Sequence, residues 1–243
     1  LSDGRLSINA GASASTALKQ LGFWSAVLAA VCSIGYGLAV IVMIIVSAST
    51  FATTATPGWQ GMDAYLGVFQ PIVMLPLIPS LLLAPTFVVL MTCVHAYASN
   101  AKKLWSQVGL AFAIIYATMA CINYIVQLTV VRLSLLNRET DGLAMFVSGN
   151  PHSIFWALAS AYVFMNLAML FAAPVFAGGK LERWIRWLFL ANGTSAVITI
   201  FGLVVDSPMI YLLGSLVPWC VIFSAATILL AVLFRRSEQS DAA

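Results

Sequence analysis

The sequence predicts an all-α polytopic bundle of six transmembrane helices with both termini in the cytoplasm, and three observations carry that prediction. Residues of the set Ala, Val, Ile, Leu, Met, Phe, Trp, Tyr and Cys make up 62% of the 243 positions, while Asp, Glu, Lys and Arg make up 8%; mean hydropathy is +1.00. A soluble domain is about 45–50% apolar and about 25% charged, so this chain lacks the charge to cover a water-facing surface. Disorder, collagen and disulfide scaffolds are excluded by the same figures. Second, charged residues leave six uncharged stretches of 19 or more residues, separated by Lys19, Asp63, Lys102 and Lys103, Arg132 to Asp141, Lys180 to Arg186, Asp206 and Arg235. A bilayer core of about 30 Å takes roughly 20 helical residues. Third, nine basic residues fall in the N-terminus, second loop, fourth loop and C-terminus, and two, Arg132 and Arg138, in the other loops. Positive loops stay cytoplasmic.

Residues 1–20 are polar (INAGASAST lies within them) and read as a mobile tail. A signal peptide has its apolar stretch close behind a basic start, so span one reads as a retained helix. The chain opens with Leu1 and not Met, which points to residues upstream. The transmembrane domain covers 21–236, with spans near 24–48, 72–97, 108–131, 154–176, 185–205 and 209–234, and 237–243 form a short cytoplasmic tail. Runs such as Ala39 to Val46 (AVIVMIIV) are continuously apolar, whereas barrel strands alternate.

Two outer loops are long. Ser49 to Phe69 carries Trp59, Tyr65 and Phe69, suited to the headgroup layer. Arg132 to Pro151 leads into a helix start signalled by Asn150, Pro151 and Ser153. Span two holds Pro71, Pro76, Pro79 and Pro85. These bend the helix, the commoner outcome, or unwind it to expose carbonyls. Span five, its counterpart in an inverted repeat, has no proline, so the repeat plan of many transporters fails. Gly178 and Gly179 are expected to end span four in a left-handed turn. Lys180, Arg183 and Arg186 with Trp184 and Trp187 then form a lipid-headgroup anchor at the start of span five, basic side chains to anionic lipid and indoles at the boundary.

Polar residues inside the spans are the candidate binding set. Tyr116, Asn123, Gln127 and Ser134 fall within an arc of about 40° on span three at 100° per residue. Span four offers Tyr162 and Asn166; span five offers Asn192, Ser195, Thr199 and, at its outer end, Asp206; span one adds Cys32 and Tyr36. Two readings stand. Polar side chains must face inward in lipid, so interhelical hydrogen bonding, at about 0.6 kcal/mol each, is the commoner explanation. The other is a neutral cavity, lined by Tyr116, Asn123, Gln127, Tyr162, Asn166, Asn192 and Ser195, for a lipid-like or neutral small molecule.

Several chemistries are disfavoured. Ion-coupled transport usually uses charges within the membrane, and no span has one at its centre. Retinal needs a mid-membrane lysine, and an intramembrane aspartyl protease needs two aspartates; neither is present. His95 and His152 lie on opposite sides, so they do not jointly ligate haem or metal. His152 with Glu139, Asp141 and Asp63 lacks ligand spacing and reads as a solvated loop. Cys32, Cys93, Cys121 and Cys220 lie within or at the ends of spans, so neither disulfide nor cysteine metal site is expected. No cofactor is expected. No basic run exceeds two residues, so nucleic acid is not a partner; membrane lipids are. No catalytic residue stands out, and nothing resembles a nucleophile elbow. A non-enzymatic bundle leads, then a small-solute transporter or channel, then a membrane-embedded lipid enzyme.

The segments Asn150–Trp156 (NPHSIFW), Leu170–Phe176 (LFAAPVF) and Leu181–Phe189 (LERWIRWLF) resemble an uncharacterised family of six-helix prokaryotic integral membrane proteins defined as a domain of unknown function. The resemblance covers about forty residues of the second half. It implies a six-helix bundle in a prokaryotic inner membrane and brings no catalytic or binding residues.

Overall fold

The computed structural model describes the backbone of residues 2–53, 59–158, 160–205 and 207–241, and the side chains of 16–46, 59–158, 160–205, 207 and 209–236. Six helices are long and apolar enough to cross a membrane: span one (Thr16–Val46), span two (Pro71–Tyr97), span three (Asn100–Asn137), span four (Ile154–Val175), span five (Lys180–Val204) and span six (Met209–Arg236). Helix is the form such sequences take because hydrocarbon offers no partner for a free backbone N–H or C=O. No strand occurs among the described residues. Span one belongs to a helix that runs Ser2–Thr53, and span six ends in one that runs Ser224–Asp241.

Each span packs against the next in sequence, and span one closes the ring against span six. The first, third and fifth connections therefore share one face, here the long-loop face. The second and fourth connections share the short-loop face with both termini. Small residues allow close approach: a Cβ on Gly109 of span three would stand 2.8 Å from the Ala168 carbonyl oxygen of span four.

Span three corrects the boundaries read from charge. Its helix begins at Lys103, passes through a wide π turn at Gln127–Val131 and continues over Arg132–Asn137. Arg132 thus sits inside the helix and not in an exit loop. The wide turn disturbs the hydrogen-bond ladder, and Arg132 Nε donates to the Leu128 carbonyl at 2.9 Å. The helix stops at Arg138, whose φ of 61° is left-handed.

The link between spans four and five is a second correction. Gly178 and Gly179 do not adopt the expected left-handed turn; among the described glycines only Gly61 and Gly142 have positive φ. Span four ends through Pro174 in a tight turn over Ala173–Val175, because proline cannot continue the helical ladder. Glu182 then caps span five. Its Oε2 accepts from the Gly178 N–H at 2.8 Å, and its Oε1 accepts from the Tyr97 hydroxyl at 2.8 Å.

Of the four prolines of span two, only Pro85 lies inside regular helix. Pro71 opens a tight turn over Pro71–Met74, and Pro76 and Pro79 belong to the start of the helix Leu77–Tyr97, where a missing N–H costs nothing. At span four, Ser153 Oγ accepts from the Trp156 N–H at 2.9 Å, and Asn150 Oδ1 from the His152 N–H at 3.0 Å. The start signal read from sequence is the observed cap.

On the long-loop face the two long connections fold onto each other. Trp59, Tyr65 and Phe69 pack on a small apolar cluster of Met74, Val131, Leu135, Leu143 and Val147. Burial there pushes the Tyr65 phenol pKa upward. The aromatic set assigned to the headgroup layer is thus engaged by protein.

Candidate functional site

The centre of the ring is filled by aromatic side chains from five of the six spans. Tyr36 stacks on Trp219 with ring centroids 4.0 Å apart, and Trp219 meets Tyr162 at 4.9 Å. Tyr162 meets Tyr116 at 6.3 Å, and Tyr116 meets Phe87 edge-on at 5.6 Å. Trp219 owes its place to Pro218, which opens a wide π turn over Pro218–Phe223. The Trp219 carbonyl accepts from Ser33 Oγ of span one at 3.0 Å. Since Ser33 has one hydroxyl hydrogen, Ser224 donates to it in turn, at 2.6 Å.

The amides predicted from sequence divide. Asn192 Nδ2 donates to Asn166 Oδ1 at 2.8 Å, tying spans five and four together. Ser195 Oγ donates to the Asn192 carbonyl at 2.5 Å and Thr199 Oγ1 to the Ser195 carbonyl at 3.0 Å, so these hydroxyls serve their own helix. Tyr162 shares a hydroxyl–hydroxyl hydrogen bond with Tyr124. Gln127 faces outward along the bundle axis: its Nε2 donates to the Phe146 carbonyl at 2.6 Å, and its Oε1 accepts from the N–H and hydroxyl of Ser148, both at 3.2 Å. It belongs to the long-loop cap. Asp206 lies outside the described residues. Gln127→Leu would leave three loop groups unpartnered at about 1 kcal/mol each. We expect faster proteolysis within 138–150 while the rest of the bundle is unchanged.

Among the described residues, five polar side-chain atoms of the bundle are buried without any hydrogen-bond partner: Tyr116 Oη, Asn123 Oδ1, Asn166 Nδ2, Asn192 Oδ1 and Trp219 Nε1. They come from spans three, four, five and six. Three can donate and two are carbonyl acceptors, and none carries charge. Such a set suits a hydroxyl, amide or ester group, whereas a bare ion would find no opposite charge. Tyr36, Tyr124 and Trp219 complete the centre. Tyr36 was visible as a polar residue on span one; Tyr124 and Trp219 had no sequence signal beyond adjacency to Asn123 and Pro218.

Among the described residues, the grooves at three places on the surface are not lined by the predicted central residues. One of about 410 Å³ is walled by Pro151, His152, Trp156, Ser160 and Leu203. A second of about 390 Å³ lies between spans one and six beside Ser33, Gly37 and Cys220. The third, of about 660 Å³, follows the loop from Arg138 to Leu143. Among the described residues no three of His, Cys, Asp and Glu stand together as metal ligands. His95 Nδ1 and Ser106 Oγ are 2.8 Å apart, but Ser106 is fully buried and its hydroxyl also lies 2.9 Å from the Lys103 carbonyl. That serine ties spans two and three and is not placed as a nucleophile.

At the short-loop face, Lys180, Arg183, Trp184, Arg186 and Trp187 are all exposed on the outside of span five, opposite the buried Ile185 and Phe189. No family model, no curated protein and no solved structure matches the chain. Its functional reading therefore rests on the side chains themselves.

Proposed function

We propose that the chain is an integral protein of a prokaryotic cytoplasmic membrane, both termini inside, that binds a neutral, lipid-like molecule at its polar centre and catalyses no reaction. One observation carries this reading: five neutral polar atoms on four spans, all buried, all without a partner. Each such atom costs about 1–3 kcal/mol, and native interiors contain few. Hydroxyl or amide groups of a ligand would answer donors and acceptors of this kind. Membership of the six-helix family resembled in 150–189 is part of the same proposal. Thermal unfolding in detergent tests it: neutral lipids with a free hydroxyl, such as diacylglycerol, should raise the melting temperature of the native chain and not of Asn123→Leu/Asn166→Leu/Asn192→Leu. Equal shifts in both would remove the central site.

A small-solute transporter or channel is the second reading. It is favoured by the placement of the irregular turns: the tight turn opening span two, the wide turns in spans three and six, and the break before Ala161 in span four all lie in the half nearer the long loops. That half is the one suited to open. Solute flux in proteoliposomes distinguishes the two readings. Orientation rests on the basic residues, and reporter fusions at Pro57, Thr140 and Ala243 are expected to report outside, outside and inside.

A further inference from the structure

The geometry points to a binding site for an anionic phospholipid headgroup on the lipid-facing side of the first two turns of span five, separate from the polar centre. At 100° per residue Lys180, Arg183, Trp184, Arg186 and Trp187 occupy an arc of roughly 160°. All five are exposed, Trp184 by 57% and Trp187 by 61%, and the opposite side is closed by Ile185 and Phe189. Further along the same side Val197, Ile198 and Phe201 are also exposed, an apolar track for acyl chains below the basic cluster.

The charges of this cluster are uncommitted. Glu182 is the one acidic residue on this face whose side chain is described, and both its oxygens are taken, by the Tyr97 hydroxyl and the Gly178 N–H. It turns inward and neutralises none of its neighbours. Two other cations of the face are engaged elsewhere: Lys103 Nζ donates to the His95 carbonyl at 2.8 Å, and the Arg235 guanidinium lies 5.9 Å from the Phe23 ring centre. The side chains of Lys180, Arg183 and Arg186 make no hydrogen bond or ion pair among the described residues. A guanidinium fork matches phosphate oxygens two at a time. Indoles settle at the headgroup boundary, which places the phosphate beside the arginines and the chains along the apolar track. A zwitterionic lipid offers the same phosphate but cancels its charge with its own ammonium.

Quenching of tryptophan fluorescence by brominated lipid reads this contact directly. The whole chain is placed in phosphatidylcholine vesicles in which brominated phosphatidylglycerol or brominated phosphatidylcholine replaces part of the lipid. The Trp184 and Trp187 contribution is the emission lost in the Trp184→Phe/Trp187→Phe variant. A basic side chain at a membrane surface is worth up to about fivefold in lipid preference. We expect that contribution to be quenched by the anionic lipid at about fivefold or lower mole fraction than by the zwitterionic one. Arg183→Ala/Arg186→Ala should bring the two within about twofold, and Lys102→Ala should leave the preference in place. Equal quenching by the two lipids in the native chain overturns the site. An equal loss of preference in Lys102→Ala overturns it as well, by making the effect one of diffuse surface charge.

Discussion

Gly202→Ala and Gly214→Ala are each expected to lower the melting temperature in detergent by about 6–12 °C, from a cost of about 3 kcal/mol. A Cβ on Gly202 of span five would stand 2.3 Å from the Tyr211 nitrogen of span six, and one on Gly214 of span six 2.5 Å from the Thr199 nitrogen of span five. Both obstacles are backbone and cannot rotate away, so the two helices must separate. Alanine in a helix interior gains up to about 1 kcal/mol over glycine, which the clash exceeds. Parting these spans also loosens Tyr211, which meets Trp156 at 5.4 Å. Gly179→Ala is the control, since a Cβ there meets nothing within 4 Å. Native melting temperatures in the Gly202 and Gly214 variants would contradict the observed contact of spans five and six.

The second large effect is expected at the paired amides. Asn192→Leu leaves Asn166 Oδ1 without its donor, beside an Nδ2 already unpartnered, and Asn166→Leu leaves Asn192 Nδ2 without its acceptor, beside an Oδ1 already unpartnered. Each single replacement should cost about 2 kcal/mol, well above the 0.6 kcal/mol typical of an interhelical hydrogen bond in a membrane. Removing both partners leaves fewer stranded atoms, so the double variant should cost no more than either single one. The coupling read from that cycle is then at least about 2 kcal/mol, with a sign showing that the two changes offset each other. Strict additivity would mean that the 2.8 Å contact between Asn192 and Asn166 contributes nothing.

The helical bundle was legible because each uncharged stretch is long enough to cross a bilayer, and that signal survives any detail of packing. Boundaries set by charge were less secure. Arg132 reads as a loop residue only if a guanidinium must leave the helix, yet its Nε reaches back to the Leu128 carbonyl from within it. Gly178 and Gly179 read as a helix stop by residue type alone, while the stop is made by Pro174 and the following start by Glu182. Helical periodicity placed Asn123 and Gln127 on one stripe of span three. Both are buried, but Gln127 lies one turn nearer the long-loop face and meets Phe146 and Ser148 there. Periodicity reports the side of a helix and not the depth at which a partner waits. That each amide needs a partner in hydrocarbon was legible, but not that Asn166 and Asn192 would meet each other. Trp219 did not follow, because its direction depends on the wide turn after Pro218.

Native mass spectrometry of the chain extracted from its own membrane in mild detergent tests the central claim most directly. If the five unpartnered atoms hold a neutral lipid-like molecule, the native chain should retain one uncharged adduct per chain after most lipid is stripped, and Asn123→Leu/Asn166→Leu/Asn192→Leu should lose it while keeping the bound anionic lipid of span five. Retention of the same adduct by both chains, or none on a folded native chain, would contradict a ligand at the polar centre.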